Sequence, residues 1–399
     1  MSADATTPPE PAEAKDANRR QREAVECALA EAPARSTGRL TLAGGATLDY
    51  RVDAGFVPVA EAEPGEHLGE PQAAVFTTAY QRTGADVPAT RPVCFAFNGG
   101  PGSSSIFLHL GALGPQRVRI GDDGRMPAPP YRVEANPLAW FEFFDLVFID
   151  PPHTGYSLTA SEAARKRMFS VDGDVAALCE VMRAWLTRHG RWGSPVYLCG
   201  ESYGTTRAAA MADQLAGQGI TLAGLILVSS AMDIQALDFS PRNDLPYGLF
   251  LPAFAGVAQF HGCLQGPLAV SAEAARDAAA EFVLSDYLVA LHRGARLDER
   301  TRRRITRRLA ELTGLTPALI EQKNLRISDE TFFFELLRDR GELVGRLDAR
   351  VTGPMAPQRL RSWEFDPGLE PLLGPYAMAA MNYFGGVLGL PAERRYVIS

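Results

Sequence analysis

The pentapeptide GESYG at residues 200–204 is the segment whose residue types and spacing point most directly to chemistry. It has the G-x-S-x-G pattern, follows the apolar run at 196–199, and precedes a helical pattern. This context predicts a sharp strand-to-helix turn that presents the Ser202 hydroxyl as a nucleophile at the positive end of a helix. Glycines are required two positions either side of the serine because the turn leaves no room for side chains. An ordinary strand-to-helix turn is the alternative interpretation.

A second segment, NGGPGSSS at residues 98–105, directly follows another apolar run. Its glycines allow the backbone to approach a ligand closely. An oxyanion site takes one N–H donor from the residue after the nucleophile and one from a loop after an earlier strand, and Tyr203 and Gly100 occupy these positions. A phosphate-binding loop is the alternative, but the segment lacks the G-x-x-x-x-G-K-[ST] pattern and has no lysine nearby.

A third segment, DPPHTGYS, lies between these two at residues 150–157. The three segments together resemble the serine carboxypeptidase family of α/β-hydrolases, which shows NGGPG-x-S-S, then D-x-P-x-G-x-G-[FY]-S, then G-E-S-Y-[AG]-G. All three occur here in the same order and at compatible spacings. The close resemblance extends from residue 92 to residue 204, and a looser likeness continues at 245–247 and 376–378.

The resemblance implies a hydrolase that cleaves the last residue of a peptide with a free C-terminus through an acyl-enzyme on Ser202. It implies that the backbone N–H groups of Gly100 and Tyr203 bind the oxyanion. It also implies that three residues hold the free carboxylate of the substrate, namely Asn98, Gly99 and Glu201. Two carboxylates bind each other only when one of them is protonated, which explains why the family tends to favour acidic pH.

Two positions depart from the family pattern. Ala112 stands where the family has a second glutamate, three residues before the Gly-Pro pair at 114–115, and Ala96 stands where it has an aromatic residue. Both changes remove groups that the resemblance implies in carboxylate recognition, so we expect weaker selection for a free C-terminus. An esterase or acyltransferase on the same scaffold is therefore the alternative function.

The Asp and His of a catalytic triad are the groups that the sequence does not assign. An α/β-hydrolase orders its triad as Ser, Asp, His, and the histidine takes the proton of the serine. Of the six histidines, only His261 and His292 follow Ser202, and both fall in a predicted insertion. Neither Asp348 nor Asp366 has a histidine after it. We therefore expect a chain that lacks the C-terminal part carrying Asp and His. A rearranged triad and a catalytically silent binding protein are the alternatives.

The elements that must position these segments follow from hydrophobic patterning. Four short apolar runs, typical of strands buried on both faces of a parallel sheet, occur at 93–97, 146–149, 196–199 and 225–228. Helical patterns follow at 171–189 and 205–218, and alternating residues between 39 and 82 predict antiparallel strands. The predicted class is α/β, with an α/β-hydrolase-like, mostly parallel sheet, flanking helices, N-terminal antiparallel strands and a helical cap insertion.

The predicted organisation has four parts. We expect a disordered tail over residues 1–20, because this stretch is rich in Pro, Ala and acidic residues without periodicity. The hydrolase core is predicted over 21–234 and the mostly helical cap insertion over 235–370. Residues 371–399 are predicted to return toward the core and to be truncated.

Composition excludes several other classes of protein. The 399 residues carry a formal net charge of −7, with 46% hydrophobic and 22% charged residues, which argues against disorder and nucleic-acid binding. The five cysteines lack metal-ligand spacing and suggest a reduced intracellular protein. With no secretory signal and no membrane span, we expect a cytoplasmic protein without cofactor or metal. Its partner is a peptide substrate, while its oligomeric state is left open.

Overall fold

A computed structural model describes residues 12–60, 69–85, 87–88, 90–355, 365–390 and 393–399. The chain divides into two compact units. The first unit comprises Met1–Arg119, Pro130–Met232 and Ala377–Ser399, and the second comprises Ile120–Pro129 and Asp233–Tyr376. In the described part of the chain, no helix combines the length and the apolar character that crossing a membrane requires.

The first unit contains the central sheet and the helices that flank it. Its strands are β1 (Ala34–Thr41), β2 (Thr47–Ala60), β3 (Pro71–Arg82), β4 (Val93–Phe97), β5 (Gln116–Val118), β6 (Val133–Ala135), β7 (Asp145–Ile149), β8 (Leu158–Thr159), β9 (Val196–Glu201) and β10 (Leu222–Val228). Its helices are α1 (Ala12–Ala30), α2 (Ile106–Leu108), α3 (Glu162–Met168), α4 (Val171–His189) and α5 (Tyr203–Gly217). Single turns occur at His109–Leu113, Trp140–Glu142 and Asn382–Val387.

The strand order in the central sheet is β1-β2-β3-β7-β4-β9-β10, with β8 paired to β3. Strands β1, β2 and β3 are antiparallel to one another, and β3 is antiparallel to β7. The remaining neighbours, β7 with β4, β4 with β9, and β9 with β10, are all parallel. A mostly parallel sheet with flanking helices and antiparallel N-terminal strands confirms the predicted α/β-hydrolase class. Parallel strands place their carboxyl ends at one edge, so the loops after β4, β7 and β9 lie together.

The core of the first unit packs α4 and α5 against the central strands. Phe95 and Leu198 from β4 and β9 are fully buried, as are Leu178 and Met182 from α4 and Met211 from α5. The inward positions of α4 follow three- and four-residue steps, as its sequence pattern predicts. The elbow between β9 and α5 is therefore built on rigid, buried elements.

The second unit is mainly helical. Its helices are α6 (Leu245–Phe260), α7 (Ala272–Phe282), α8 (Leu288–Arg293), α9 (Glu299–Thr313), α10 (Pro317–Gln322) and α11 (Asp329–Glu335), with α12 (Glu370–Met381) extending beyond it. The short strands β11 (Glu342–Val344) and β12 (Thr352–Pro354) pair in antiparallel fashion. Ser271 accepts the N–H of Ala274 as the predicted cap of α7, and the stacked rings of Phe254 and Phe332 lie in the core.

Two sequence expectations are corrected by the structure. Residues 12–20 of the predicted tail form the first turns of α1, because Ala, Glu, Lys and Arg are strong helix formers and Asp16 pairs with Arg19. Residues 1–11 lie outside the described chain. The run at 225–228 is not buried on both faces: β10 is at the edge of the sheet, and Leu225 and Leu227 are 40% and 39% exposed.

Candidate active site

The GESYG segment forms a sharp turn, here called the elbow (residues 200–204). Strand β9 ends at Glu201 and α5 begins at Tyr203, so Ser202 alone connects strand to helix. Its backbone has φ 57° and ψ −126°, a region that non-glycine residues rarely adopt and that costs about 1–3 kcal/mol. The Ser202 N–H donates to the carbonyl of Val228 at 3.0 Å, which ties this strained residue to β10.

Close backbone packing explains the two glycines of the elbow. A Cβ atom on Gly200 would lie 2.0 Å from the carbonyl oxygen of Gly204. A Cβ atom on Gly204 would lie 3.0 Å from the carbonyl oxygen of Phe97, at the end of β4. The turn therefore has no room for a side chain at Gly200, and at Gly204 a side chain would force the end of β4 to shift, in agreement with the sequence pattern.

The glycine-rich loop after β4 lies directly against the elbow. A Cβ atom on Gly99 would lie 2.5 Å from the amide nitrogen of Tyr203 and 2.6 Å from the carbonyl oxygen of Glu201. The next residue, Gly100, has φ 105° and precedes a cis peptide bond to Pro101. The two segments whose N–H groups the sequence nominates as oxyanion donors are thus neighbours.

Asn98 connects the loop to the elbow through its side chain. Its amide Nδ2 donates to Oε2 of Glu201 at 2.9 Å, and its Oδ1 accepts the N–H of Leu108 at 3.0 Å. Asn98 is 3% exposed; its hydrogen bond with Leu108 is buried, and its hydrogen bond with Glu201 is partly buried. The structure therefore brings together Asn98, Gly99 and Glu201, the three residues that the resemblance nominates for carboxylate binding.

A buried ion pair behind the elbow was missed by the sequence reasoning. Arg207 donates from Nε to Oδ2 of Asp174 at 2.7 Å and from Nη1 to the carbonyl of Asn98 at 2.8 Å. Its guanidinium also lies over the rings of Phe97 and Tyr203, at 5.3 and 5.1 Å from their centroids. The signal for it was a charged residue on the inward face of α5, facing an acidic residue in the first turn of α4.

The DPPHTGYS segment supplies a second buried carboxyl group. Asp150 accepts hydrogen bonds at Oδ1 from the N–H of Ser105 at 2.9 Å and from the hydroxyl of Tyr396 at 3.1 Å. Burial raises the pKa of Asp150 to about 7. Gly155 is required beside it, because a Cβ atom there would overlap the carboxylate. Asp150 thus connects the glycine-rich loop to the last residues of the described chain.

The last residues of the chain, 396–398, lie along these two loops. Val397 forms an antiparallel bridge with Gly155, and the carbonyl of Ile398 accepts the N–H of Ser104 at 2.9 Å. No local sequence signal indicates this contact, because it joins positions more than two hundred residues apart. The contact holds both loops in place beside the elbow.

Of the three histidines described in the first unit, His109 is buried, whereas His153 and His189 are partly buried. The Nε2 of His109 lies 2.7 Å from the hydroxyl of Tyr80, and that of His153 lies 2.8 Å from Oγ1 of Thr159. Burial lowers the pKa of His109 to about 3 and those of His153 and His189 to about 4. All three rings are neutral at pH 7. Among the described residues of this unit, no histidine is hydrogen-bonded to the elbow serine.

The two histidines that follow the elbow in sequence belong to the second unit. His261 has its Nε2 at 2.7 Å from the carbonyl of Ala349, and His292 is exposed in the last turn of α8. The sixth histidine, His67, lies outside the described residues. Within the described ranges, no group of three or more His, Cys, Asp or Glu residues has the arrangement of a metal site.

Comparison with known proteins agrees with the class that the strand order and the elbow define. Residues 72–233 match the family model described as serine carboxypeptidase. Over 107 residues the chain is 33% identical to the pheromone-processing carboxypeptidase kex1 of Sclerotinia sclerotiorum, covering 27% of this chain and 15% of that protein. Over 156 residues it is 31% identical to serine carboxypeptidase-like 50 of Arabidopsis thaliana, covering 37% and 30%.

Among solved structures, the prohormone-processing carboxypeptidase KEX1(delta)p of Saccharomyces cerevisiae aligns with a TM-score of 0.39 and 18% identity, covering 63% of this chain and 49% of that one. The esterase LipA of Xanthomonas oryzae aligns with a TM-score of 0.32 and 16% identity, covering 57% and 59%. The chain spans less than a third of the length of the curated relatives it matches. Over residues 72–233 it is similar to the serine carboxypeptidase family.

Proposed function

We propose that this chain is a serine-type, carboxypeptidase-like hydrolase that acts on peptide C-termini through an acyl-enzyme on Ser202. The observation that carries the proposal is the strained backbone of Ser202, at φ 57°, between a buried strand and a helix. A serine held this way projects its hydroxyl away from the sheet, where a substrate carbonyl can reach it. The glycine-rich loop lies against the same turn, so N–H donors stand close to the nucleophile.

In the proposed reaction, Oγ of Ser202 attacks the carbonyl carbon of the last peptide bond. The hydroxyl proton passes to a base, and the C–N bond then breaks as the leaving amine takes a proton. Water hydrolyses the resulting ester and restores the serine. The N–H groups of Gly100 and Tyr203 stabilise the oxyanion at each tetrahedral stage, and removal of one such donor typically costs about 10²–10³ in kcat.

Substrate selection is assigned to the hydrogen-bonded set around Glu201. Asn98 already donates to the Glu201 carboxylate, so an arriving substrate carboxylate meets a preformed polar cluster. Either Glu201 or the substrate must be protonated for the two carboxylates to share a hydrogen bond. We therefore expect binding of a free C-terminus to improve as the pH falls through the range where carboxylic acids titrate.

A fluorophosphonate probe tests the nucleophile directly. The expected result is one covalent adduct, mapped by mass spectrometry to Ser202 and lost in Ser202→Ala. Ser229→Ala is a matched control, because Ser229 also has a positive φ of 50° but is exposed after β10. Labelling of Ser229, or equal labelling in Ser202→Ala, would overturn the assignment.

An esterase or acyltransferase is the second candidate, favoured by Ala112 and Ala96. Neither side chain can hydrogen-bond a carboxylate, and Ala112 contributes its backbone carbonyl to Asn136 instead. Three substrates separate the candidates: a blocked dipeptide with a free acid, its amide, and a simple acyl ester. Preference for the free acid supports the carboxypeptidase, whereas cleavage of the ester alone supports the second candidate.

A catalytically silent binding protein is the third candidate. It is favoured by the three neutral histidines of the first unit, of which His109 and His153 are hydrogen-bonded to residues outside the elbow. Absence of any Ser202 adduct, together with saturable binding of the free-acid dipeptide, would support it. Ser202-dependent turnover by these 399 residues would exclude it.

A further inference from the structure

A cleft lined by arginines lies in the first unit and shares no residue with the elbow. It is formed by the outer strands β1 to β3 and the last turn of α4, and its volume is about 660 Å³. The residues on which the argument depends are Arg35, Arg51, Asp53, Arg188 and His189. We call it the arginine cleft. Its volume falls within the range of about 300–1,000 Å³ that is typical of small-molecule sites.

Strand register explains why these side chains converge. Arg35 on β1 is opposite Asp53 on β2, and Thr37 on β1 is opposite Arg51 on β2. Directly opposed residues and residues two apart share a face of the sheet, so the two arginines and Asp53 project to the same side. The last turn of α4 adds Arg188, whose Nη1 donates to the carbonyl of Phe56 at 2.9 Å.

The side chains that line the cleft carry more positive than negative charge. Asp53 is the one acidic residue among those lining it, and it faces three arginines. Arg35 Nε donates to Asp53 at 2.8 Å, while Arg51 Nε lies 3.7 Å from the same carboxylate. Burial lowers the pKa of His189 to about 4, so that ring is neutral at pH 7. Two positive charges are therefore left for a ligand.

Protein partners orient the guanidinium groups of these arginines without occupying all of their N–H donors. Arg51 donates from Nε and Nη2 to Oε1 of Gln81, at 3.0 and 2.8 Å, which fixes its guanidinium plane. Among the described residues, no acceptor contacts its Nη1. The side chains of Arg35 and Arg51 remain 77% and 54% exposed, so a ligand from solvent can reach them. A fixed guanidinium fork suits the tetrahedral oxygens of a phosphate.

We propose that the arginine cleft binds a phosphate monoester of a small organic molecule. The phosphate group, which carries nearly two negative charges at pH 7, matches the charge left uncompensated by Asp53. The cleft is also lined by the exposed Pro33 and the partly buried ring of His189, which can contact the organic part. This binding does not use Ser202 and stands independently of the proposed hydrolase function.

Calorimetric titration of the full chain with phenyl phosphate, inorganic phosphate and succinate tests the proposal. Phenyl phosphate is expected to bind more tightly than inorganic phosphate, because it adds apolar contact, and more tightly than succinate. The affinity should fall as the salt concentration rises, since the arginines are exposed. Absence of phenyl phosphate binding, or equal affinity for succinate, would overturn the proposal.

Matched variants locate the site. Arg51→Gln should weaken phenyl phosphate binding about tenfold or more, because a charge-assisted hydrogen bond is lost. Arg39→Gln is the control: Arg39 pairs with Asp49 across the same two strands but does not line the cleft. Equal weakening by both variants would indicate nonspecific charge attraction and refute the site. Ser202→Ala should leave the affinity unchanged, and Arg51→Gln should leave fluorophosphonate labelling unchanged.

Discussion

The ion pair behind the elbow and the ion pairs of the arginine cleft use the same chemical groups in opposite environments. The side chains of Arg207 and Asp174 are 1% and 8% exposed, whereas those of Arg35 and Asp53 are 77% and 11% exposed. Water screens the second pair but is excluded from the first. A buried charge that loses its partner has no other group to pair with, whereas an exposed arginine can bind water or a ligand in place of a protein group.

This difference separates two kinds of role. Arg207 connects three parts of the candidate active site, because it binds Asp174, the carbonyl of Asn98 and the ring of Tyr203. It acts on position and stability, because its side chain is 1% exposed. Arg35 and Arg51 contribute little to the fold and are available to an anion.

The largest effect is expected for Arg207→Met. The substitution removes the cation and leaves the Asp174 carboxylate buried, with the Tyr203 hydroxyl at 3.2 Å as its remaining donor. The free energy of unfolding should fall by about 3–5 kcal/mol, measured by urea denaturation. Adding Asp174→Asn should recover part of this loss. Arg183→Met is the control, since Arg183 pairs with Glu180 at a partly exposed position; an equal loss there would remove the contrast.

The second effect is a pH dependence at Asp150. The pKa of this carboxyl is about 7 in the folded state because of burial, against about 3.9 in an unfolded chain. Between these values the folded state keeps a proton that the unfolded state has lost. The stabilisation is therefore fully present below about pH 4 and is lost as the pH rises toward 7, by at most about 1.4 kcal/mol per pH unit.

Denaturation at several pH values measures this slope. Asp150→Asn should flatten it, because an amide does not titrate and its Oδ1 can still accept from Ser105 and Tyr396. Asp213→Asn, at an exposed position of α5, should leave the slope as it is. The assignment would be contradicted if the unsubstituted protein became more stable from pH 4 to pH 7 while the Asp150→Asn variant became less stable.

The third effect concerns the contact between the glycine-rich loop and the elbow. Gly99→Ala places a methyl group 2.5 Å from the amide nitrogen of Tyr203, so the backbone must shift. Overpacking of this kind typically costs about 1–3 kcal/mol. Labelling of Ser202 by the fluorophosphonate should slow at least tenfold. Gly44→Ala introduces the same methyl group where no atom lies within 4 Å, and it should change neither quantity.

Local sequence signals predicted much of this architecture. The G-x-S-x-G pattern after an apolar run was sufficient to predict the strand–turn–helix arrangement, and the glycine spacing reflected contacts that exclude a Cβ atom. The four apolar runs became the parallel strands β4, β7, β9 and β10, and the first three are buried as short, continuous apolar runs predict. These features depend on neighbours along the chain.

The features that the sequence could not predict depend on contacts between residues that are far apart along the chain. The inward position of Arg207 on α5 indicates a buried partner but does not identify Asp174 on the preceding helix, and nothing near Tyr396 indicates Asp150. The exposure of Leu225 and Leu227 likewise follows from the position of β10 at the sheet edge, which its composition does not encode. The arginine cleft could not be predicted from spacing along the sequence, because the register of the β-strands brings its charged residues together.

The smallest effect on stability, and the sharpest test of the contrast, is expected for Arg35→Gln. Its pair with Asp53 is largely exposed at the arginine, so the free energy of unfolding should change by less than about 1 kcal/mol. The same variant should weaken phenyl phosphate binding about tenfold, because the cleft loses one of three cations. Stability by denaturation and affinity by calorimetry are measured on the same sample. A large loss of stability with unchanged affinity would mean that Arg35 acts as Arg207 does, and the distinction between a structural and a ligand-binding arginine would fail at this site.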